Sequence, residues 1–279
     1  MIMKSIIIFY HIKDNDGLGS AWSAWKKFKE KADYFGIDYY SDHHFDYYKG
    51  KTIYFLDFRP PDDVVSLLKQ NQNHLVLIDH HISSRNKLKL FDEYKFSLKH
   101  SAAVLVWQYF FPRKKIPKIL LYIEDIDIWK LKLRFSREIN NAIEFYNSNF
   151  KHWNKLARDL EDVSKRKQYI KMGEIISQYQ DKLIQKITAK AKLVKFEGKK
   201  VLVVNSSILI SEVGNALVKK RPPLAIIWNE INKMVWFSLR SNGSCDVSKI
   251  AEKYGGGGQK GAAAFALDMN APLPWQEIH

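Results

Sequence analysis

In the N-terminal third of the chain, three short apolar runs stop abruptly at acids or histidines. IIIFYH closes on His11, with Asp14 and Asp16 just beyond; TIYFL runs into Asp57; LVLI runs into Asp79, His80 and His81. Between them, GLGSAWSAWKKFKEKA has helical spacing, and PDDVVSLLKQ reads as a helix opened by Pro61. Strands alternating with helices predict a parallel sheet with helical crossovers, an α/β fold. Open sheets of this kind bind ligands at the carboxyl ends of their strands, so these acids and imidazoles can meet in one crevice.

Further along, SAAVLVWQYFF and IPKILLYIEDIDIW are helical in pattern, and no strand pattern occurs before about residue 160. Residues 163–192 contain no proline and place Tyr169, Met172, Ile176, Tyr179, Leu183 and Ile187 at helical spacing, which predicts a long amphipathic linker helix. Its other face is rich in lysine and is read as solvated surface. KVLVVNS, LAIIWNE and KMVWFSLRS then read as strands, SEVGNALVKK and DVSKIAEKY as helices, before GGGG and the apolar run AAAFAL. The expected organisation is a metal-binding catalytic domain over 1–160, a linker helix over 161–195 and a smaller mixed-sheet domain over 196–279. Trp107, Trp129 and Trp236 fall in apolar patterns and are expected in the core rather than as base-stacking platforms.

The 279 residues carry 45 Lys and Arg against 30 Asp and Glu, a formal charge of +15 that favours polyanionic partners such as nucleic acid or nucleotides. No apolar stretch approaches the length of a membrane span, and the short run at the start ends in a candidate ligand rather than a cleavage site. One cysteine, Cys245, excludes an internal disulfide and a cysteine-based zinc cluster. A cytoplasmic protein without a membrane partner is expected.

A two-metal site needs a carboxylate between the ions and further ligands on each, with positions left open for water and phosphate. His11, Asp14, Asp16, Asp57, His80 and one acid of the pair Asp125 and Asp127 supply that number, and hard oxygens mixed with imidazoles suit Mn²⁺, Mg²⁺ or Zn²⁺. A second Asp-His-His triplet, at residues 42–44, follows a polar stretch instead of a buried-type strand and is expected to play no part.

The motifs HIKDNDGLGSAW, FLDF, LIDHH and YIEDIDIW, then SLRS and DVSKIAEKYGGGGQKGAAAF, resemble in order and spacing the DHH phosphoesterase superfamily with a C-terminal DHHA1 domain. Within it, the oligoribonuclease and cyclic-nucleotide phosphodiesterase-like proteins are the most similar subgroup. The resemblance implies a parallel-sheet DHH domain joined by a long helix to a smaller mixed-sheet DHHA1 domain, with the catalytic crevice between them. It implies two divalent ions, with Mn²⁺ ahead of Mg²⁺ and Co²⁺. His11, Asp14 and Asp57 would hold one ion, and Asp16, Asp57, His80 and Asp125 the other, with Asp57 bridging. Because i,i+2 positions lie on different faces of a helix, only one of Asp125 and Asp127 is expected to point inward, and Asp125 is placed ahead, with Asp127 as its substitute. Asp79 would orient its neighbours and His81 would face the phosphate. Arg240 and the Gly256, Gly257, Gly258 and Gln259 stretch would bind substrate phosphate.

The chain departs from the family pattern at three positions. Gln259 stands where histidine is usual, Ala264 replaces a glycine, and Ile126 occupies a position usually held by arginine. The expected activity is hydrolysis of short oligoribonucleotides or dinucleotides, with cyclic dinucleotides and 3′-phosphoadenosine phosphate as further substrates; a homodimer is compatible with the sequence. A nucleic-acid-binding regulator with a decayed substrate domain is the reading from another class, motivated by Gln259 and Ala264.

Overall fold

The computed structural model describes residues 3–37, 43–146 and 149–278, which form two compact units meeting within one helix, at 177/178. The first unit holds strands β1 (Ile6–His11), β2 (Ala32–Ile37), β3 (Thr52–Leu56), β4 (His74–Asp79) and β5 (Glu93–Phe96). Its helices are α1 (Asn15–Phe28), α2 (Asp62–Gln70), α3 (Ala102–Phe110), α4 (Lys118–Asp127), α5 (Ser136–Phe145) and α6 (Phe150–Glu161). Helix α7 (Val163–Thr188) follows and ends before Lys192, which opens a strand instead of continuing the helix as its periodicity suggests.

The five strands pair in the order β2-β1-β3-β4-β5, all parallel. The chain leaves β1 toward one edge and resumes at β3 on the other side, so the topological switch lies between β1 and β3, where this class of sheet opens a binding crevice. The sheet is buried on both faces, as its near-continuous apolar runs require. Ile7, Phe9, Ile53, Phe55, Leu75 and Leu77 pack with Val65 and Leu68 of α2. Ile8, Leu56, Val76 and Ile78 face the other way, against Ala24 of α1 and Leu105 and Val106 of α3. The edge strands β2 and β5, of six and four residues, carry no pattern of their own that distinguishes them from loop.

Helix α1 sets the geometry of the crevice. Its buried side is built from small residues, Gly19, Ser20, Ala21, Ser23 and Ala24, which let α3 approach closely: a Cβ on Gly19 would lie 3.0 Å from that of Ala103. Gly17 is tighter still, since a Cβ there would lie 1.9 Å from the carbonyl oxygen of His11. Trp22, Trp107, Ile123, Trp153 and Leu160 form a helical core beside the sheet, onto which Tyr169 and Ile170 of α7 pack.

The second unit contains β6 (Lys192–Phe196), β7 (Lys199–Asn205), α8 (Ile210–Lys220), β8 (Leu224–Ile231), β9 (Met234–Ser241), α9 (Val247–Lys253), β10 (Gly257–Gln259), β11 (Ala262–Asp268) and β12 (Gln276–Glu277). They pair as one sheet in the order β10-β11-β9-β8-β7-β6-β12, antiparallel except for β7 with β8. Val213 and Leu217 of α8 cover one face, and Val247, Ile250 and Ala251 of α9 the other. Among the described residues no helix is long and apolar enough to cross a membrane.

Gly17→Ala is expected to lower stability by about 1–3 kcal/mol, the cost of forcing a methyl into packed backbone. Gly257→Ala, whose Cβ would meet nothing within 4 Å, should leave stability unchanged. Urea unfolding midpoints of the two variants check the contrast, and equal midpoints would contradict the close approach of α1 to the end of β1.

Candidate metal centre

Strand β1 ends at His11, and shortly after it Asp14 caps helix α1, its Oδ1 accepting the Gly17 amide at 2.9 Å. Asp14 Oδ2 and His11 Nδ1 meet at 2.8 Å. Asp16, in the first turn of α1, is buried and accepts the amides of Ala102 at 2.8 Å and Ala103 at 2.9 Å. These belong to the N-terminal turn of α3, where free N–H groups and the helix dipole favour a carboxylate.

Asp57 follows β3 with φ of +66°, a left-handed conformation that costs a non-glycine residue energy and is concentrated at functional sites. Its amide still donates to Ile78 O at 3.0 Å, so the turn away from the sheet occurs at Asp57 itself. The carboxylate lies between two imidazoles: Oδ2 is 3.8 Å from His11 Nδ1 and Oδ1 is 3.4 Å from His80 Nε2. His80 Nε2 also lies 3.7 Å from Asp16 Oδ2 and 3.5 Å from Asp127 Oδ2.

Asp79, fully buried at the end of β4, turns inward and organises the pair after it. Its Oδ1 accepts the amides of His80 at 2.7 Å and His81 at 3.1 Å and meets His81 Nδ1 at 2.8 Å, while Oδ2 accepts the Ser84 hydroxyl. Asp79 is thus a positioning group. The side chain of His80 is 6% exposed and that of His81 38%, so His81 is the imidazole open to an incoming ligand.

The structure brings His11, Asp14, Asp16, Asp57, His80 and His81 together, and it adds Asp127 rather than Asp125. Among the described residues, three triplets have one ligand atom from each member within 4.8 Å of the others: His11, Asp14 and Asp57; Asp57, His80 and His81; Asp16, His80 and Asp127. Asp57 is shared by the first two and His80 by the last two. Asp125 is directed elsewhere, accepting the amides of Lys132 at 2.9 Å and Leu133 at 3.1 Å and the Ser136 hydroxyl at 2.6 Å, which pins the segment after α4. One of the two acids does face the site, but it is Asp127 and not Asp125, which the sequence reading put ahead. Asp127 lies four residues beyond Ile123 and seven beyond Leu120, both in the core, so the helical period itself placed Asp127 on the inward face.

Of the second triplet, Asp42 lies outside the described residues. His43 sits edge-on to Phe9 with ring centroids 4.9 Å apart and meets Tyr48 Oη at 2.8 Å, in an aromatic cluster. Trp107 is buried as expected, whereas Trp129 is 57% exposed. Ser84 and the Ala102 and Ala103 amides were not legible as site-forming groups, because only the folded chain brings them to Asp79 and Asp16.

Electrostatics divides the acids. Against partial loss of hydration, Asp14, whose side chain is 46% exposed, is held below the usual carboxylate range by hydrogen bonding and charge from His11 and by the Gly17 amide. Asp57 and Asp127 are pushed well above it, first by burial and then by neighbouring carboxylates, Asp16 and Asp14 foremost. Asp57 Oδ1 and Asp127 Oδ2 are buried with no hydrogen-bond partner. Both border His80 Nε2, so orphaned oxygens and an imidazole converge on one point, a donor set that fits a divalent cation. For His81, burial opposes protonation, but hydrogen bonding and charge from Asp79, then the charges of Asp16 and Asp14, raise its pKa overall.

The substrate-binding candidates lie in the second unit. Arg240 on β9 donates from Nη2 to Ser211 Oγ at 2.9 Å, and its stem packs where a side chain on Gly214 would stand. Gly257, Gly258 and Gln259 form the exposed edge strand β10 instead of a loop. Gln259 pairs with Ala262, and Ala262 with Arg240, so Arg240 and Gln259 share one face of the sheet. Gly256 has no room for a Cβ, which would lie 2.1 Å from Ala264 O, and Gly258 has φ of +144°.

No protein-family model matches the chain. Aligned over 302 residues, 98% of this chain is 28% identical to uncharacterized protein R106 of Acanthamoeba polyphaga mimivirus, covering 70% of that protein. The solved DHH domain of a protein described as a member of a family of ribosomal proteins superposes with a TM-score of 0.63 at 13% identity, over 94% of this chain and 82% of that one. An exopolyphosphatase-related protein from Bacteroides fragilis superposes with a TM-score of 0.56 at 15% identity, over 97% and 88%. The chain therefore has the fold of DHH-domain proteins.

Asp127→Asn is expected to reduce bound metal while keeping the unfolding midpoint, since it keeps the shape of a side chain whose Oδ2 has no protein donor to lose. Asp125→Asn should retain metal but lose about 1.5–3 kcal/mol of stability with its charge-assisted hydrogen bonds. Metal analysis together with urea unfolding separates the two. Because burial and neighbouring carboxylates raise Asp57 and Asp127 above the ordinary carboxylate range, a cation must displace their protons, so affinity for Mn²⁺ should rise as pH is raised above that range, with proton release. Calorimetric titration in buffers of different ionisation enthalpy reads that release directly, and pH-independent binding would count against the raised values.

Proposed function

We propose that this chain is a divalent-metal-dependent phosphoesterase that hydrolyses phosphodiester bonds in short oligoribonucleotides or dinucleotides by a two-metal mechanism, with Mn²⁺ as the preferred ion. The observation that carries the reading is Asp57, whose oxygens lie toward His11 on one side and His80 on the other. In this reading His11, Asp14 and Asp57 hold one ion, and Asp16, Asp57, His80 and Asp127 the other. Bound there, the ions supply charge neutralisation on a phosphoryl group and acidify water near neutral pH.

The protein's own contribution is positioning and proton placement. The protein-donated hydrogen bonds to Asp14 and Asp16 fix their carboxylates before any ligand arrives. Asp79 holds His81 through Nδ1 and favours its protonated form, so the proposed role of His81 is to donate from Nε2 to a phosphoryl or leaving oxygen. In the second unit, Arg240 is proposed to bind a substrate phosphate through its planar fork of donors, with Gln259 on the same face as a neutral hydrogen-bonding group. The fold shared with DHH-domain proteins and the motif resemblance support the same class of chemistry.

Purified protein supplied with Mn²⁺ is expected to cleave labelled dinucleotides faster than strands of roughly twenty nucleotides, a length that would call on an open stacking track. His80→Ala should abolish turnover and His43→Ala should change it little. Cyclic dinucleotides and 3′-phosphoadenosine phosphate belong in the same assay, and a preference for either would redirect the substrate assignment. Metal-loaded protein that binds these molecules without cleaving any of them would support the regulatory, substrate-binding reading.

A further inference from the structure

The first unit carries a concavity of about 690 Å³ among its helices. Trp22 and Lys26 of α1, Trp107 of α3, Ile116 and Pro117 before α4, and α6 line it. Trp22 lies six residues beyond Asp16 on α1, about 9 Å along the helix axis, so the cavity is separate from the metal centre. Its volume falls within the range of small-molecule sites.

The chemistry of the walls is one-sided. Lys26, Lys115, Lys151 and Arg158 border the cavity from three separate segments, and the single acid of its lining, Glu161, is engaged by the Lys118 amide at 2.8 Å and the Lys118 ammonium at 3.7 Å. The Asn154 carbonyl oxygen is also taken, accepting from Trp22 Nε1 at 3.2 Å and Lys26 Nζ at 3.3 Å. Burial and the neighbouring charges of Lys29, Lys114 and Arg158 make Lys26 harder to keep protonated, a sign of concentrated positive potential. Trp22 and Trp107, 2% and 6% exposed, stack with ring centroids 5.7 Å apart and back the cavity. The wall they support, made by Ile116, Pro117 and Ala157, is apolar.

We infer that this cavity is a nucleotide-binding site distinct from the metal centre, its apolar wall receiving the base and its four cations the phosphate. Free phosphate meets the cations alone and leaves the apolar wall empty, so it should bind less tightly than a nucleotide. The inference does not depend on the catalytic reading, because no residue of the cavity belongs to the metal centre.

Calorimetric titration of the full chain with AMP in the presence of EDTA, with inorganic phosphate as the comparison, tests it. A single AMP site is expected, also present in His80→Ala, with phosphate binding at least about tenfold more weakly. The double variant Lys151→Glu with Arg158→Glu, on exposed positions, should abolish binding while leaving Mn²⁺ content and the unfolding midpoint unchanged. AMP affinity unaffected by the double variant, phosphate binding as tightly as AMP, or no AMP binding up to about 1 mM would each overturn the assignment.

Discussion

Five aspartates, Asp14, Asp16, Asp57, Asp79 and Asp127, meet three histidines at one end of a parallel sheet, and repulsion among these carboxylates, with Asp16, Asp57 and Asp79 removed from water, is the constraint that the surrounding structure answers. Ionised carboxylates this close together cannot remain buried unless protons, donors or a cation offset them. The fold supplies donors to some and not to others. Asp14 takes the Gly17 amide and His11, Asp16 takes two amides of α3, and Asp79 takes two amides, an imidazole and a hydroxyl. Asp57 Oδ1 and Asp127 Oδ2 receive nothing from the protein. Those two oxygens mark where a cation has the most to offset, and both border His80.

This division explains several local features as parts of one arrangement. Small residues along α1 bring α3 close enough for its first amides to reach Asp16. Gly17 lets the start of α1 sit against the carbonyl of His11, which fixes Asp14 and His11 relative to each other. The left-handed backbone at Asp57 ends the strand and turns the carboxylate between the two imidazoles. Each device costs something locally: small residues bury little area, and a left-handed aspartate is strained. The helical core around Trp22, Trp107 and Trp153 supplies packing that the small-residue face of α1 cannot.

The same helix serves two regions of opposite charge. Its first turn reaches into the acidic cluster, while Trp22 and Lys26 border a cavity ringed with cations. In the second unit, the consecutive glycines are explained by packing. Gly256 and Gly258 allow the edge strand β10 to lie against β11 where a Cβ would strike backbone, while Gly257 is open and exposed. Arg240 is fixed from α8 by Ser211 and by the space that Gly214 leaves.

Much of this was written in the chain. Apolar runs ending in His11, Asp57 and Asp79 determined the central strands and the end of the sheet that carries chemistry, because buried parallel strands need continuous apolar sequence and their ends do not. Helical periods gave α1, α2, α3, α4, α8 and α9. The edge strands β2 and β5 were not legible, since an edge strand is defined by the neighbour it pairs with more than by its own pattern. The helical period already set Asp127 in line with Leu120 and Ile123, but what Asp125 does instead was decided by tertiary structure: only the folded chain shows it occupied by the Lys132 and Leu133 amides while Asp127 faces His80. Likewise, GGGG signalled a special backbone, but only the pairing with β11 made it a strand. Sequence determined which groups were available and on which elements they lie; the meeting of α3 amides with Asp16, and of unpaired oxygens with His80, depends on distances between segments far apart in the chain, which no local pattern encodes.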